Sequence, residues 1–418
     1  MRAMKDSGVE WIGKIPQDWE VAQVRYLFNI GRGRVIAQTE LVDDGMYPVF
    51  SSQTKNNGCL GYINTYDYEC EQLTWTTDGA NAGTVFLREG RHNCTNVCGT
   101  LMAMKDNVCL RYQKYALEHI AFYHKRIDTN GFKIMNNEMA AIKTILPSMD
   151  EQKRIADYLD FKCSKIDSII EKQQAVIEKL KEYKLSVITE AVTKGLNPDV
   201  EMKDSGVEWI GEVPKHWNVC KIKTLTDVLP GYAFASDDFV TDEGIALLRG
   251  INVTPNGVRW DDVVYWKKDQ YDGLKNLLLE EGDIVLGLDR PWIKEGTRVT
   301  TIKQEDLPCL LVQRVCRIRT LENADYRFIL HCINSEMFKQ SLSLETTGIS
   351  VPHISTKQIQ DFIVAIPSIE EQKSICDYLE KQIALVEKVI ANKRNIINKL
   401  SEYRKSLIYE VVTGKKEV

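Results

Sequence analysis

Nineteen side chains on turn-rich stretches of this chain carry the donors, acceptors and planar groups that read nucleic-acid bases. Between residues 20 and 147 they are Arg32, Arg34, Ser52, Gln53, Lys55, Asn56, Asn57, Thr77, Asn81 and Asn96. Between 218 and 367 they are Tyr232, Arg249, Asn252, Arg290, Trp292, Lys294, Gln313, Arg314 and His353. Arginine pairs bidentately with guanine, and Asn or Gln with adenine, in the major groove, while Lys and hydroxyl groups hold phosphates. The chemistry on offer is recognition of double-stranded DNA. Catalytic signatures are missing: there is no GxxxxGK[ST] phosphate loop, no HExxH, no GxSxG and no Asn-Pro-Pro-aromatic motif of adenine methyltransferases. No catalytic residue is assigned. Cys59, Cys70, His92, Cys94 and Cys98 lack finger or ribbon spacing, so they read as small buried apolar groups, and no metal is expected.

Loops need a scaffold, and the sequence writes this one twice. Residues 4–13 recur letter for letter as 202–211, 198 positions later, and each copy runs on to a Pro and a Trp: Pro16 and Trp19, then Pro214 and Trp217. A second pair of blocks matches at an offset of 220, with 145–160 reappearing as 365–380 and 177–193 as 397–413. Between the matched blocks the halves differ. A repeat fixes architecture, and a kept frame around changed inserts describes one scaffold with two different readers.

After Pro147 the pattern turns helical. Ser148 with Glu151, and Ser368 with Glu371, have capping-box spacing. Apolar residues then recur every three to four positions, and the predicted seam is Ile166, Ile169, Val176, Leu180, Tyr183 and Val187 on one helix and Val386, Val389, Ile396, Leu400, Tyr403 and Leu407 on the other. Gln173 and Lys393 hold equivalent polar positions of the kind that fix register. About 45 residues at 1.5 Å each give a rod of roughly 65 to 70 Å, which needs another long helix to cover its stripe. The expected fold is α+β: two globular α/β domains separated by a pair of long antiparallel coiled-coil helices in a pseudo-two-fold repeat. Expected boundaries are a leading segment 1–19, a first domain 20–147, a helix 148–195, a linker and repeated leading segment 196–217, a second domain 218–367, and a helix with tail 368–418.

A chain of 418 residues supports two to three domains. No apolar run approaches the roughly 20 residues needed to span a bilayer, so no membrane partner is expected and the location expected is cytoplasmic. The formal charge of −5 means that a DNA-binding surface must gather its Lys and Arg locally or borrow charge from a partner. The acidic balance is the best argument for an alternative, a coiled-coil protein-interaction scaffold without DNA readout. Two unlike inserts in identical frames argue against it, because a scaffold has no need of diverged readers.

The order of leading block, variable domain and Pro-Ser-x-x-Glu-Gln helix, given twice, resembles the specificity subunit of type I restriction-modification enzymes. Residues 146–153 and 366–373 and the two Pro-and-Trp blocks carry the likeness, and 231–239 followed by 244–253 resembles the start of a target recognition domain of that family. The resemblance implies a non-catalytic subunit that reads an asymmetric two-part DNA sequence, one part per domain. It implies partners as well: two adenine methyltransferase subunits, together with restriction and translocase subunits. S-adenosylmethionine, ATP and Mg would be bound by those partners and no cofactor by this chain. The helices would set the spacing and dock the methyltransferases. No family motif fixes the DNA-contacting residues, so the nineteen loop residues stand on their chemistry alone.

Overall fold

A computed structural model describes residues 2–128, 131–267, 273–294, 296–343 and 353–418. The chain forms two compact units, Met1–Gln174 with Arg394–Val418, and Ala175–Lys393. The divisions fall inside the two long helices, Met149–Lys194 and Ile369–Val412, and not at the starts of those helices near 148 and 368. Each unit therefore contains part of both helices.

In the first unit the leading block is a small hairpin. Met4–Asp6 pairs with Lys14–Pro16, and Gly8 and Gly13 take the left-handed φ that its turn demands. Glu20–Gln23 then pairs with Lys143–Leu146, so the insert between them starts and ends on one ribbon. Inside it a four-stranded antiparallel sheet has the order Phe28–Arg32, Cys98–Ala103, Gln72–Thr76, Val85–Arg88. A second sheet has the order Cys59–Ile63, Tyr47–Phe50, Arg91–Cys94, Tyr68–Glu69. The helix Leu110–His124 lays Tyr112, Tyr115, Ala116, Leu117 and Ile120 into the core with Leu73, Trp75 and Leu101.

The second unit repeats this plan with other residues. Asn218–Lys221 pairs with Ile363–Ile366. The central sheet has the order Thr226–Pro230, Val315–Thr320, Ile284–Gly287, Val299–Thr301, and the second sheet Tyr265–Trp266, Ile245–Leu248, Cys309–Leu311. Inserts that differ in sequence thus share the strand order of the central sheet, while the second sheet has four strands in one and three in the other. The inner strands are buried along their length, and a buried layer can be filled by many sequences of similar volume, so the scaffold persists while its loops change.

The Glu-Gln that opens each long helix is a structural clamp. Gln152 accepts the Cys109 N–H (2.9 Å) and donates to the carbonyls of Asn107 and Pro147, and Gln372 does the same with Asp325, Asn323 and Pro367. Glu151 accepts the indole N–H of Trp19 (2.9 Å), and Glu371 that of Trp217 (3.1 Å). Leading block, domain and helix meet at these two residues in both units.

Within each unit the helix segments run antiparallel. In the first, Glu151 and Arg154 share a cleft with Gly414 and Val418 while Asp167 pairs with Arg404; in the second, Gly195 lies against Glu371 while Lys184 pairs with Glu387. The seam differs from the expected one. Ile166, Val386 and Leu407 are buried and Leu180, Val187 and Leu400 half-buried, but Ile169, Val176, Tyr183, Val389, Ile396 and Tyr403 are each more than a third exposed. The cores take Ile177, Ile188, Ala191 and Val192, and Ile390, Ile408, Val411 and Val412, in their place. Each helix carries two adjacent apolar stripes, and three-to-four spacing cannot tell which of them faces the partner helix.

Candidate nucleic-acid interface

Three segments converge at one end of the central sheet in each unit: the residues after Phe28–Arg32 or Thr226–Pro230, the residues after Gln72–Thr76 or Ile284–Gly287, and the turn that leads from the second sheet into Cys98–Ala103 or Val315–Thr320. In the first unit Gly33 donates to Cys98 O (3.0 Å), and Arg34 forms an isolated parallel bridge to Thr95. In the second, Gly231 donates to Val315 O (2.9 Å), and Tyr232 bridges Val312. A Cβ on Gly33 would stand 2.1 Å from Cys94 O, and one on Gly231 2.0 Å from Val312 O, so both approaches require glycine. Arg34 and Tyr232 are thereby equivalent, and so are Asn96 and Gln313 on the facing turns. All four are exposed.

In the first unit Arg32 donates to Asn96 O and lies 3.9 Å from Asp78, whose carboxylate also takes Lys133 at 3.2 Å. Burial pushes the Asp78 carboxyl up, but hydrogen bonds from Thr77 and Lys133, with the charges of Lys133 and Arg32, leave it below the usual range. Arg34 is held by Glu40 (3.0 Å) and Asp67 (3.1 Å), and Glu40 raises its pKa most. The cations are thus pre-paired with acids, which is how a chain of net charge −5 presents fixed guanidinium groups.

Ser52, Gln53, Lys55, Asn56 and Asn57 sit on the loop after Tyr47–Phe50, where Asn56 and Asn57 adopt φ of 49° and 52°. Buried Arg88 fixes that loop: it donates to Asn57 O (2.7 Å) and Thr74 Oγ1 (3.1 Å) and stacks 3.6 Å over the Phe50 ring. Burial brings its pKa down to about 10, with the neighbouring thiols opposing. Asn81 is exposed, and its carbonyl accepts the Thr84 hydroxyl at 2.8 Å.

In the second unit Asp289 takes the Arg314 guanidinium (3.1 Å) and His353 Nδ1 (2.7 Å). The His353 hydrogen bond does most to hold the Asp289 carboxyl below its ordinary range. Arg290 and Lys294 are exposed and Trp292 half-buried on the loop that follows. Arg249 is tied to Asp262 (3.1 Å).

Two of the nineteen candidates cannot reach a ligand. Thr77 is 0% exposed and donates to Asp78 and Val97 O, and Asn252 is 1% exposed with its amide holding Arg249, Arg259 and Asp262. Their polar groups close loops from within, a role that composition cannot separate from surface readout. Asp78 and Asp289, which hold Arg32, Arg314 and His353, and Lys133, which pairs with Asp78, are not among the nineteen. A sequence signal existed, since Lys133-Ile134 and His353-Ile354 keep the offset of 220 that marks the helix starts.

Among the described residues no group of three or more His, Cys, Asp or Glu is disposed to hold a metal. Cys94 and Cys98 are buried, and burial pushes the Cys98 thiol up to about 11. No helix among the described residues is long and apolar enough to cross a membrane.

Besides Phe161 in the first unit and Tyr378 and Leu385 in the second, the exposed apolar residues of the long helices include one matched set per unit: Ile169, Ile396 and Tyr403 in the first, and Val389, Val176 and Tyr183 in the second. The sets are equivalent under the 220 offset, and along each helix their members are seven residues apart, on one face.

A family model for the type I restriction modification DNA specificity domain matches residues 16–179 and again 214–401. Among curated proteins, the type I restriction enzyme MjaVIII specificity subunit of Methanocaldococcus jannaschii is 28% identical over 414 residues, covering 96% of this chain and 94% of that one. The EcoAI specificity subunit of Escherichia coli is 31% identical over 215 residues, covering 51% and 36%. A chain solved in a study of complex assembly and conformational transition of the type I R-M system superposes with a TM-score of 0.67 over 96% of this chain and 99% of that one, at 12% identity, a likeness of fold.

Proposed function

The chain belongs to the type I restriction modification DNA specificity family, and from that membership we propose that each of its two recognition domains reads one half of an asymmetric, two-part DNA site. It is a specificity subunit and not itself an enzyme. The observation that supports the division of labour is the matched pair of loop clusters. One frame presents Arg34 and Asn96 in the first domain and Tyr232 and Gln313 in the second. Specific DNA binding exceeds non-specific by about 4 to 10 kcal/mol, and a bidentate base contact discriminates by about 1 to 3, so several contacts shared between two readers are required.

The exposed apolar sets on the helices are the surfaces proposed for methyltransferase subunits, one subunit per set. Methyl transfer and cleavage, with S-adenosylmethionine, ATP and Mg, would belong to the methyltransferase and restriction subunits, and the complex would act in the cytoplasm. The number of unread base pairs between the two halves would be set by helix length.

The test uses the chain purified with its methyltransferase partner and a library of duplexes. One two-part sequence should be methylated, and replacing residues 20–145 by a relative's domain should alter one half of it. Methylation indifferent to sequence would leave a protein-binding scaffold as the better reading, and a change in both halves would refute independent readers.

A further inference from the structure

The two recognition domains differ in sequence, yet one construction stands at the same place in both. Asp78 and Asp289 follow the third strand of their central sheets, and each makes an isolated antiparallel bridge, Asp78 to Lys133 and Asp289 to His353. The next residues, Ile134 and Ile354, donate their N–H to Thr77 O and Leu288 O, both at 2.9 Å. Thr77 and Leu288 in turn donate to Val97 O (3.0 Å) and Arg314 O (2.8 Å) on the facing turns. Each carboxylate then takes two basic side chains, Lys133 and Arg32 in one domain and His353 and Arg314 in the other.

Stability does not account for this. The partners are part-exposed, up to 71% for Arg314, and such solvent-screened ion pairs add little to stability. Against that, in the second domain Arg314 sits at φ 66° and Arg290, next to Asp289, at φ 46°, left-handed conformations that strain a non-glycine residue. A strained backbone that aims an arginine at a surface carboxylate suits a group that must be pointed in advance. Base reading by a guanidinium fork depends on its plane, and a freely rotating side chain must lose that freedom on binding unless it is held in advance.

We infer that Asp78 and Asp289 are positioning residues of two matched DNA-contact sites, each carboxylate orienting a pair of basic side chains, Arg32 with Lys133 and Arg314 with His353, toward one half of the recognised duplex. The inference rests on the reading of the chain as a specificity subunit. The same anchor carries different donors in the two domains, a guanidinium with an ammonium in one and a guanidinium with an imidazole in the other. His353 donates from Nδ1 to the Asp289 carboxylate, which fixes the plane of the imidazole ring. Arg34 with Asn96, and Tyr232 with Gln313, flank the two anchors at equivalent positions.

The experiment takes the chain with its methyltransferase partner and measures selection from randomised duplexes for wild type, Asp78→Asn and Asp289→Asn, with a melting curve for each. Asp289→Asn should reduce discrimination about tenfold at one or two base positions of one half-site and leave the other half intact, Asp78→Asn should do the converse, and melting should barely move. If Asp289→Asn lowers the melting temperature, Arg314→Lys, which keeps the charge and loses the fork, must relax the same positions. Unchanged preferences in both variants, or equal loss in both halves, overturns the inference while wild type still selects. A wild type without sequence preference overturns the specificity reading and the inference with it.

Discussion

In the second unit Lys184 Nζ lies 2.6 Å from Glu387 Oε1, and in the first Arg404 Nε lies 3.1 Å from Asp167 Oδ1. Positions 167 and 387, and 184 and 404, are related by the offset of 220. The same ion pair is therefore made twice, with the helices exchanging roles.

The two pairs should not contribute equally. Lys184 and Glu387 are 29% and 45% exposed, so Lys184→Met should cost less than about 1 kcal/mol. Arg404 also faces Glu118, whose carboxyl burial pushes up while the charge of Arg404 opposes. Arg404→Met removes that opposing charge as well as the pair with Asp167, and should cost more than Lys184→Met. Denaturant midpoints of the two variants decide the matter, and equal losses would contradict the role given to Glu118.

The clamp at the helix starts predicts a second effect. Gln152 is 0% exposed and satisfies three backbone groups, and leaving such groups unpaired costs about 1 to 3 kcal/mol each when water cannot replace the partner. Gln152→Ala should destabilise the first unit by about 3 kcal/mol and release the Cys109 amide to exchange. Gln372→Ala should act in the same way at Asp325. An amide that stays protected in the variant would show that the side chain is not its partner.

These residues mark what the sequence can disclose. Repeats and capping boxes announced the helices Met149–Lys194 and Ile369–Val412, because a run of helical period ended by glycine has few other solutions. The seam register was not legible, since Ile169 and Ile177 are equally apolar and only packing against the other helix separates them. The common sheet order of the two inserts was hidden too, because strands such as Gln72–Thr76 and Ile284–Gly287 need only fill a buried layer. At the candidate sites the sequence supplied side chains such as Arg32, Arg314 and His353. It could not show that Thr77 and Asn252 turn inward, or that an acid, Asp289, gathers two of the bases.

His331 predicts a pH dependence. Burial in the helix Tyr326–Asn334 depresses its pKa to about 4, with the charge of Arg327 adding and that of Asp325 opposing. In the unfolded chain it protonates near pH 6.5, so below that pH the unfolded state takes up a proton that the native state refuses. Stability from this group is complete above 6.5 and falls by about 1.4 kcal/mol per pH unit until pH reaches the folded value. Between pH 6.5 and 5 the second unit should lose about 2 kcal/mol that His331→Gln does not lose. Parallel stability curves for the two proteins across that range would rule out a buried neutral imidazole.

The glycines that end the long helices carry the last prediction. Gly195 and Gly414 have φ of 73° and 70°, the left-handed stop that glycine supplies without strain, while an L residue there costs about 1 to 2 kcal/mol. Their surroundings differ. A Cβ at Gly195 would meet Trp217 Cζ2 at 3.2 Å, which a small ring shift relieves, whereas at Gly414 it would lie 2.4 Å from Pro16 Cγ and 3.1 Å from Trp19. Gly206, at φ 71° with open space around it, reports the backbone cost alone. Alanine should therefore cost about 1 kcal/mol at 206, slightly more at 195, and about 2 to 4 at 414, where overpacking adds to the strain. Because Gly414 and Trp19 come from opposite ends of the chain, Gly414→Ala should also speed amide exchange at Trp19. A Gly414→Ala protein as stable as Gly206→Ala would mean that the end of the second helix is not seated on the leading block.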